Sequence, residues 1–261
     1  MIPGFECCGV VVGHGGSPLA WWLMGKKVST FGDSTWAEYV CVDVFRCFVL
    51  SSTTSWENAA GAVANPMTVM IMIDIAKGHK VVVATAGSSG LTSQFIRAAK
   101  SKGISTIAIV RKDDQIEACQ ANGALVTLNS EAEGFQEKLT ALCKEHHVKL
   151  AFDSVAGDTG SKVLASLCSG GEVHIYGFLS GKPLTLPGSE FIFKEKLVKG
   201  LYLGQALKGN MFKLLRLKNE LVSMLDSELR TTVQGTYPME NIVDALLAYT
   251  QADYLKMLFR H

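Results

Sequence analysis

The sequence predicts an α/β protein: a doubly wound parallel sheet accompanied by a smaller, β-rich part. Three observations point there. From about Lys80 onward, strand-like and helix-like segments alternate. The strand-like segments are near-continuous apolar runs, the mark of strands covered on both faces. Before Leu50 and after Gly200 this rhythm is absent.

The elements follow in order. Between Pro3 and Leu50 the runs "CCGVVVG", "KKVSTF", "AEYVCVD" and "CFVL" are punctuated by Gly, Asp and Ser, which suits strands of a small barrel or sandwich. "TTSWENAAG" offers a helix start with Thr54 or Ser55 as its cap. "MTVMIMIDIA" carries Asp74 and falls well short of the roughly 20 apolar residues of a membrane span, so it is expected as a buried helix. Strand "KVVVAT" then precedes helix "LTSQFIRAAKSKG", and "STIAIV" precedes "DDQIEACQANG". "LVTL", helix "EGFQEKLTALCKEH", strand "KLAFDSV", helix "TGSKVLASLC" and strand "EVHIYG" complete the alternation. Beyond Gly200, Leu214, Leu217, Leu221, Leu225 and Leu229 mark one helix face. A strand near "RTTVQGTYP", a helix "MENIVDALLAYTQ" and a strand "LKMLF" close the chain. The expected divisions are residues 1–54, 55–204 and 205–261.

Composition narrows the function classes. Apolar residues make up 48% and charged ones 19%, as in a well-buried globular protein. The formal net charge is +1 with no basic tract, which argues against nucleic-acid and anionic-membrane partners. Cysteines at 7, 8, 41, 47, 119, 143 and 168 form no C-x-x-C pair, so neither a zinc knuckle nor a disulfide framework is indicated. Reduced thiols in an intracellular compartment, cytoplasmic or mitochondrial, are expected. "MIPGFE" lacks the basic and apolar regions of a signal peptide.

The chemistry concentrates in "KVVVATAGSSGLTSQF", where a strand runs into Gly87-Ser88-Ser89-Gly90 and then into a helix. At the first βα turn of a parallel sheet, glycines let the backbone approach a pyrophosphate and the helix N-terminus supplies N–H donors. The pattern A-x-x-G-x-x-G is weak alone, and a tight turn without ligand fits it too. Its position after the first strand of a βαβαβ run favours dinucleotide binding. The second strand ends "AIVRKDD", with Arg111 and Lys112 where an NAD site presents an acid, at close to the roughly 20-residue spacing of that site. A guanidinium there pairs with a 2′-phosphate, so NADP is favoured over NAD. A pair that merely solvates the strand end, beside Asp113 and Asp114, is the plainer alternative.

A serine nucleophile is the competing reading of the same turn. "AGSSG" is one residue from G-x-S-x-G, with Ser88 in the serine slot and Asp153 and His174 following in hydrolase order. His174 falls inside the strand "EVHIY", however, whereas a catalytic base needs a loop that reaches the serine. The chain has no P-loop motif, and none of its tyrosines has a lysine four positions later.

In its order of parts, the chain resembles the medium-chain dehydrogenase/reductase superfamily, nearest its zinc-independent quinone oxidoreductase and 2-enoyl-thioester reductase branches. "PGFECCGVVVGHG" is similar to the family's P-G-x-E-x-x-G-x-V, and "GDSTWAEYVCVD" to its G-x-W-A-E-Y segment. "ENAAGAVANPMTVMIMI" resembles the helix carrying N-P-x-T, and "ATAGSSG", "FDSVAGD" and "IYGFLSG" fall in family order. The resemblance implies a Rossmann domain with a partial, GroES-like barrel, an NADPH cofactor, a small-molecule substrate, no nucleic-acid or membrane partner, and a homodimer through strand edges. It implies that Gly87, Ser88, Ser89 and Gly90 meet the pyrophosphate, and Arg111 and Lys112 the 2′-phosphate. Ser154, Val155, Tyr176, Gly177 and Phe178 would border the nicotinamide side, with Asn65 and Thr68 as the catalytic-side residues.

Two departures qualify this. Zinc-dependent relatives place a histidine before the glutamate of the G-x-E segment, where this chain has Phe5, so no metal is expected. The family also carries several barrel strands ahead of that segment, so an N-terminally truncated form is expected. The function implied is hydride transfer from NADPH to a quinone or to a C=C conjugated to a carbonyl, such as an enoyl thioester. The alternatives are a non-catalytic NADP-binding protein and, less favoured, a serine hydrolase using Ser88.

Overall fold

A computed structural model describes residues 2–206, 211–251 and 256–260. The first strands and helices are β1 (Glu6–Val10), α1 (Pro18–Trp22), β2 (Lys27–Phe31), β3 (Phe48–Val49), α2 (Trp56–Ala60) and α3 (Ala64–Ala76). Next come β4 (Val81–Ala84), α4 (Gly90–Ser101), β5 (Ser105–Val110), α5 (Ile116–Asn122), β6 (Val126–Asn129) and α6 (Phe135–Glu145). Then follow β7 (Leu150–Asp153), α7 (Gly157–Ser166), β8 (Glu172–Ile175), α8 (Gly188–Ile192) and β9 (Leu197–Gly200). The chain closes with α9 (Leu203–Ala206), α10 (Met211–Met224), β10 (Val233–Pro238), α11 (Ile242–Gln251) and β11 (Lys256–Arg260). Two compact units result: Met1–Met70 with Asn210–His261, and Ile71–Gly209.

In the unit Ile71–Gly209, six parallel strands lie in the order β6-β5-β4-β7-β8-β9. Counted within the sheet this is 3-2-1-4-5-6, the doubly wound order of dinucleotide-binding proteins, with its reversal between β4 and β7. The register explains how both faces are covered. Val83, Ile107, Ala151 and Val173 share one face and pack with Leu139, Val163 and Leu164 of α6 and α7. Ala108 and Val110 point to the other face, against Ile96 of α4 and Cys119 of α5. Phe152 and His174 sit side by side on that second face, with Phe152 edge-on to Phe95 of α4 at 5.1 Å. Period-two alternation therefore supplies two apolar faces from each strand, which is why the strands read as continuous apolar runs.

In the other unit, β1, β2 and β3 form an antiparallel sheet, and β10 and β11 a parallel pair. Ser55 is the cap of α2, its Oγ accepting from the Asn58 amide at 3.1 Å. Asn58 joins this start to the C-terminal segment: its Nδ2 donates to Asp226 Oδ1 (2.9 Å) and its Oδ1 accepts from the Thr231 amide (2.9 Å). Those bonds, with Thr54 Oγ1 donating to Asp226 Oδ2 (3.0 Å), show how residues after 210 return to the N-terminal part. They also join α2 to this unit, whose compact limits fall inside α3 and after Gly209. The unit has a cavity of about 900 Å³ bordered by Cys7, Val10, Leu23, Val28, Thr30 and Cys47.

Several local expectations differ from the structure. "AEYVCVD" is not a strand: residues 37–43 run outside the ladder with Tyr39 77% exposed. A strand needs a neighbour to take its backbone bonds, and β2 already has β1 and β3 on its two edges. The leucine face continues past its helix. Leu217 and Leu221 lie in α10, whereas Leu225 and Leu229 are buried in the turn behind it, where the Leu229 amide returns to Met224 O at 2.9 Å. Helices α1, α8 and α9 and strand β9 are short elements not among those expected from the sequence. Leu255 of "LKMLF" lies outside the described residues. Among the described residues no helix is long and apolar enough to cross a membrane.

Candidate functional site: the strand ends at the sheet reversal

Side chains at the carboxyl ends of β4, β7 and β8 gather around the reversal between β4 and β7. The turn after β4 is tight. Ala86 takes a positive φ of 49°, the Gly87 amide donates to Ile109 O (2.8 Å), and the Ser89 amide donates to Ala86 O (2.9 Å). Gly87 is required by packing: a Cβ there would stand 2.9 Å from Cys119 Sγ and 3.0 Å from Ala108 Cβ. Ser89 caps α4, its Oγ accepting from the Thr92 amide at 3.3 Å. The amides of Gly87 and Ser89 are thus engaged inside the turn. The Ser88 amide and the first-turn amides of Gly90 and Leu91 have no acceptor among the described residues, the condition for an anion at a helix N-terminus.

The turn after β5 holds the basic pair. The Arg111 and Lys112 amides both donate to Gln115 Oε1, at 3.2 and 3.3 Å, which curls the backbone behind them. Asn129 Nδ2 donates to Asp113 Oδ1 at 2.8 Å and occupies the nearest acid. Arg111 is exposed, and among the described residues its guanidinium makes no ion pair.

The loops after β7 and β8 are laced together. Amides of Tyr176, Leu179 and Ser180 donate to the carbonyls of Asp153, Ser154 and Val155, each at 2.9 Å. Gly177 fits only without a side chain, since a Cβ would meet Ser154 O at 2.8 Å. The Tyr176 hydroxyl lies 3.0 Å from Thr92 Oγ1, which also donates to Thr85 O at 3.1 Å. Burial pushes the Tyr176 phenol above its ordinary range, so it is protonated at neutral pH. Phe178 is exposed.

Asn65 and Thr68 belong to the other unit, on the first two turns of α3, where Thr68 Oγ1 donates to Ala64 O at 2.8 Å. Thr85, Thr92, Asp153 in a structural role, and Gln115 escaped the sequence reading. Only a polar residue ending an apolar strand, as in "VVVAT" and "LAFD", signals the first and third.

Strand parity removes the hydrolase alternative. Phe152 pairs with His174 and Asp153 with Ile175, so Asp153 and His174 project to opposite faces of the sheet. His174 is instead bonded to Glu172, Nε2 to Oε1 at 2.9 Å, and packs tilted against Phe152, ring centroids 5.8 Å apart. A serine base oriented by Asp153 cannot be assembled.

The fold and this edge define a doubly wound dinucleotide-type protein. The family profile of the zinc-binding dehydrogenases matches residues 90–220, and the chain belongs to that family, within the medium-chain dehydrogenase/reductase superfamily. It is 29% identical to the mitochondrial enoyl-[acyl-carrier-protein] reductase of Arabidopsis thaliana over 77% of this chain and 56% of that one. It is 32% identical to an NADPH quinone oxidoreductase of Kluyveromyces marxianus over 45% of this chain and 34% of that one. A crystal structure from Mesorhizobium loti, assigned as an NADPH:quinone reductase, superposes with a TM-score of 0.92 at 28% identity, covering 99% of this chain and 77% of that one. The chain spans about half the length of the curated relatives it matches.

The family description includes zinc, but the residues here do not fit a catalytic zinc. Glu6 Oε2 accepts from the Ala64 amide at 2.9 Å and its Oε1 pairs with Lys256, and the neighbouring residue is Phe5. Among the described residues no group of three or more His, Cys, Asp or Glu is placed to hold a metal.

Proposed function

We propose that this protein is an NADPH-dependent oxidoreductase acting on a quinone or on a C=C conjugated to a carbonyl, such as an enoyl thioester. The observation that carries it is the coincidence of the glycine turn with the reversal of strand order, with Arg111 on the adjacent strand end making no ion pair among the described residues. Residues 55–204 would form the dinucleotide-binding module, with 1–54 and 205–261 on the acceptor side. The Ser88, Gly90 and Leu91 amides would hold the pyrophosphate, and Arg111, with Lys112, the 2′-phosphate. Ser154, Val155, Tyr176, Gly177 and Phe178 would border the nicotinamide. NADPH, when bound, supplies the hydride. The chain's part is to orient the acceptor and to donate hydrogen bonds to charge developing on its oxygen, a role proposed for Asn65, while Thr68, whose hydroxyl already donates to Ala64 O, would pack beside the nicotinamide.

Arg111→Ala tests this. Wild type is expected to bind NADPH well ahead of NADH in a fluorescence titration. Losing a charged hydrogen-bond partner, worth about 1.5–3 kcal/mol, should weaken NADPH about tenfold or more and leave NADH unchanged. Equal affinity of wild type for the two cofactors, or no binding, would refute the reading. Binding without turnover of enones, enoyl thioesters and quinones would instead favour the non-catalytic alternative.

A homodimer is proposed as the assembly. β9 ends the sheet with its outer edge unpaired among the described strands, and Phe193 beside it is 80% exposed. Such an edge is a template for a second strand. Sedimentation equilibrium should give twice the 28.1 kDa chain mass, and a monomer would contradict it. An intracellular compartment, cytoplasmic or mitochondrial, fits the cysteines. All seven are unpaired, and burial raises the thiols of Cys7, Cys8 and Cys119 to about 11 and of Cys143 to about 12, which makes them inert.

A further inference from the structure

Asp153 is fully buried at the end of β7, yet no step of hydride transfer uses it. Its surroundings define another task. Oδ1 accepts from Thr85 Oγ1 at 2.7 Å and from the Val155 amide at 2.9 Å, while Oδ2 accepts from the Ala156 amide at 3.1 Å. Thr85 Oγ1 in turn accepts from the Ser154 amide at 2.9 Å, and the Thr85 amide donates to Phe152 O at 3.0 Å. One hydroxyl and one carboxyl group therefore hold three successive backbone amides, 154 to 156, and bolt the end of β4 to the end of β7. These are the two strands between which the sheet order reverses.

The loop so held is not one the chain adopts by preference. Ala156 sits at φ 60°, ψ −153°, a strained region almost confined to glycine. Gly160 leaves the space that the carboxyl group fills, for a Cβ there would lie 2.4 Å from Asp153 Oδ2. A strained loop held by buried, fully directed hydrogen bonds at a ligand crevice is preorganised.

We infer that Thr85 and Asp153 form a positioning pair that holds loop 154–157 in the shape the dinucleotide requires, acting on affinity through the loop and touching no reacting atom. The inference rests on the NADPH reading above and deepens it. Asp153→Asn keeps the shape but turns an acceptor into an NH2 group facing the Ala156 N–H. Thr85→Val removes the hydroxyl, and Thr85→Ser keeps it. NADPH affinity of the folded proteins and amide hydrogen exchange at Ser154, Val155 and Ala156 are measured together with thermal midpoints.

Asp153→Asn and Thr85→Val are expected to weaken NADPH about tenfold and to speed exchange at those amides by a similar factor, with Thr85→Ser close to wild type in both. Folded variants that lose thermal stability but keep wild-type NADPH affinity assign the pair a purely structural role and overturn the inference. So does unchanged exchange at 154–156. Should wild type fail to bind NADPH, the cofactor reading falls and the positioning of a dinucleotide with it, while the exchange data still decide whether the pair holds the loop. Should Thr85→Val fail to fold, the comparison of Asp153→Asn with Thr85→Ser carries the same decision.

Discussion

Gly160→Val is expected to leave the protein largely unfolded at temperatures where wild type is folded. The valine Cβ would stand 2.4 Å from Asp153 Oδ2 and 2.9 Å from Leu184 Cδ2, distances that no real side chain tolerates. The Asp153 carboxyl group would have to leave its slot. Its three donors, the Thr85 hydroxyl and the amides of Val155 and Ala156, would stay behind in a buried place. Each orphaned donor costs about 1–3 kcal/mol, and overpacking adds about 1–3 kcal/mol. Together these come to about 4–12 kcal/mol, comparable to the whole stability of many domains. Circular dichroism melting checks it, with Gly160→Ala expected between the two. A valine variant melting within about 2 °C of wild type would show that the slot can relax, contrary to the packing described.

Glu190→Ala is expected to cost about 3–5 kcal/mol, because it strands a buried ammonium. The Lys196 side chain is completely enclosed, with Nζ 2.7 Å from Glu190 Oε2 and donating to Leu164 O (2.7 Å) and Ala165 O (2.9 Å). Those carbonyls belong to the last turn of α7, whose negative end compensates part of the charge. Lys194 adds a second cation, 2.8 Å from Glu190 Oε1. Urea unfolding should show Glu190→Ala less stable than the double variant Glu190→Ala with Lys196→Met, in which no charge is left unpaired. If the single variant is the more stable, the ion pair is not what holds the β9 approach to α7.

The pH dependence of this pair has a definite sign. Burial pushes the Glu190 carboxyl up, but hydrogen bonds and charge from Lys194 and Lys196 outweigh it and hold the group below its ordinary value. A depressed folded value stabilises above the unfolded value, about 4.3, and that contribution is lost as pH falls through the lower folded one. The stability gap between wild type and Glu190→Ala should therefore be constant near neutrality and close in acid.

Much of the cofactor-type edge was legible because its signals are local. Ser89 could be read as lying at a helix start, and Gly87 as lying in a tight turn, from residues within four positions of each. The reasons behind them were not. Gly87 is small because Ala108 of β5 and Cys119 of α5 press on it, and its amide belongs to Ile109 rather than to a ligand. "AEYVCVD" misled for the opposite reason: its composition suits a strand, but strand formation depends on a neighbour that the local sequence does not specify.

Alternation of apolar runs with amphipathic ones determined, from sequence alone, that the chain would wind a parallel sheet with a glycine turn at a strand end and a basic pair on the next. Chain-neighbour preferences suffice for that. Only the tertiary structure decided that β4 and β7 lie side by side, which brings Thr85 onto Asp153 across 68 positions of sequence. The same strand parity sends His174 to the opposite face. Side-chain direction in a sheet follows from register, and register is set by packing against other elements rather than by the residues of the strand itself.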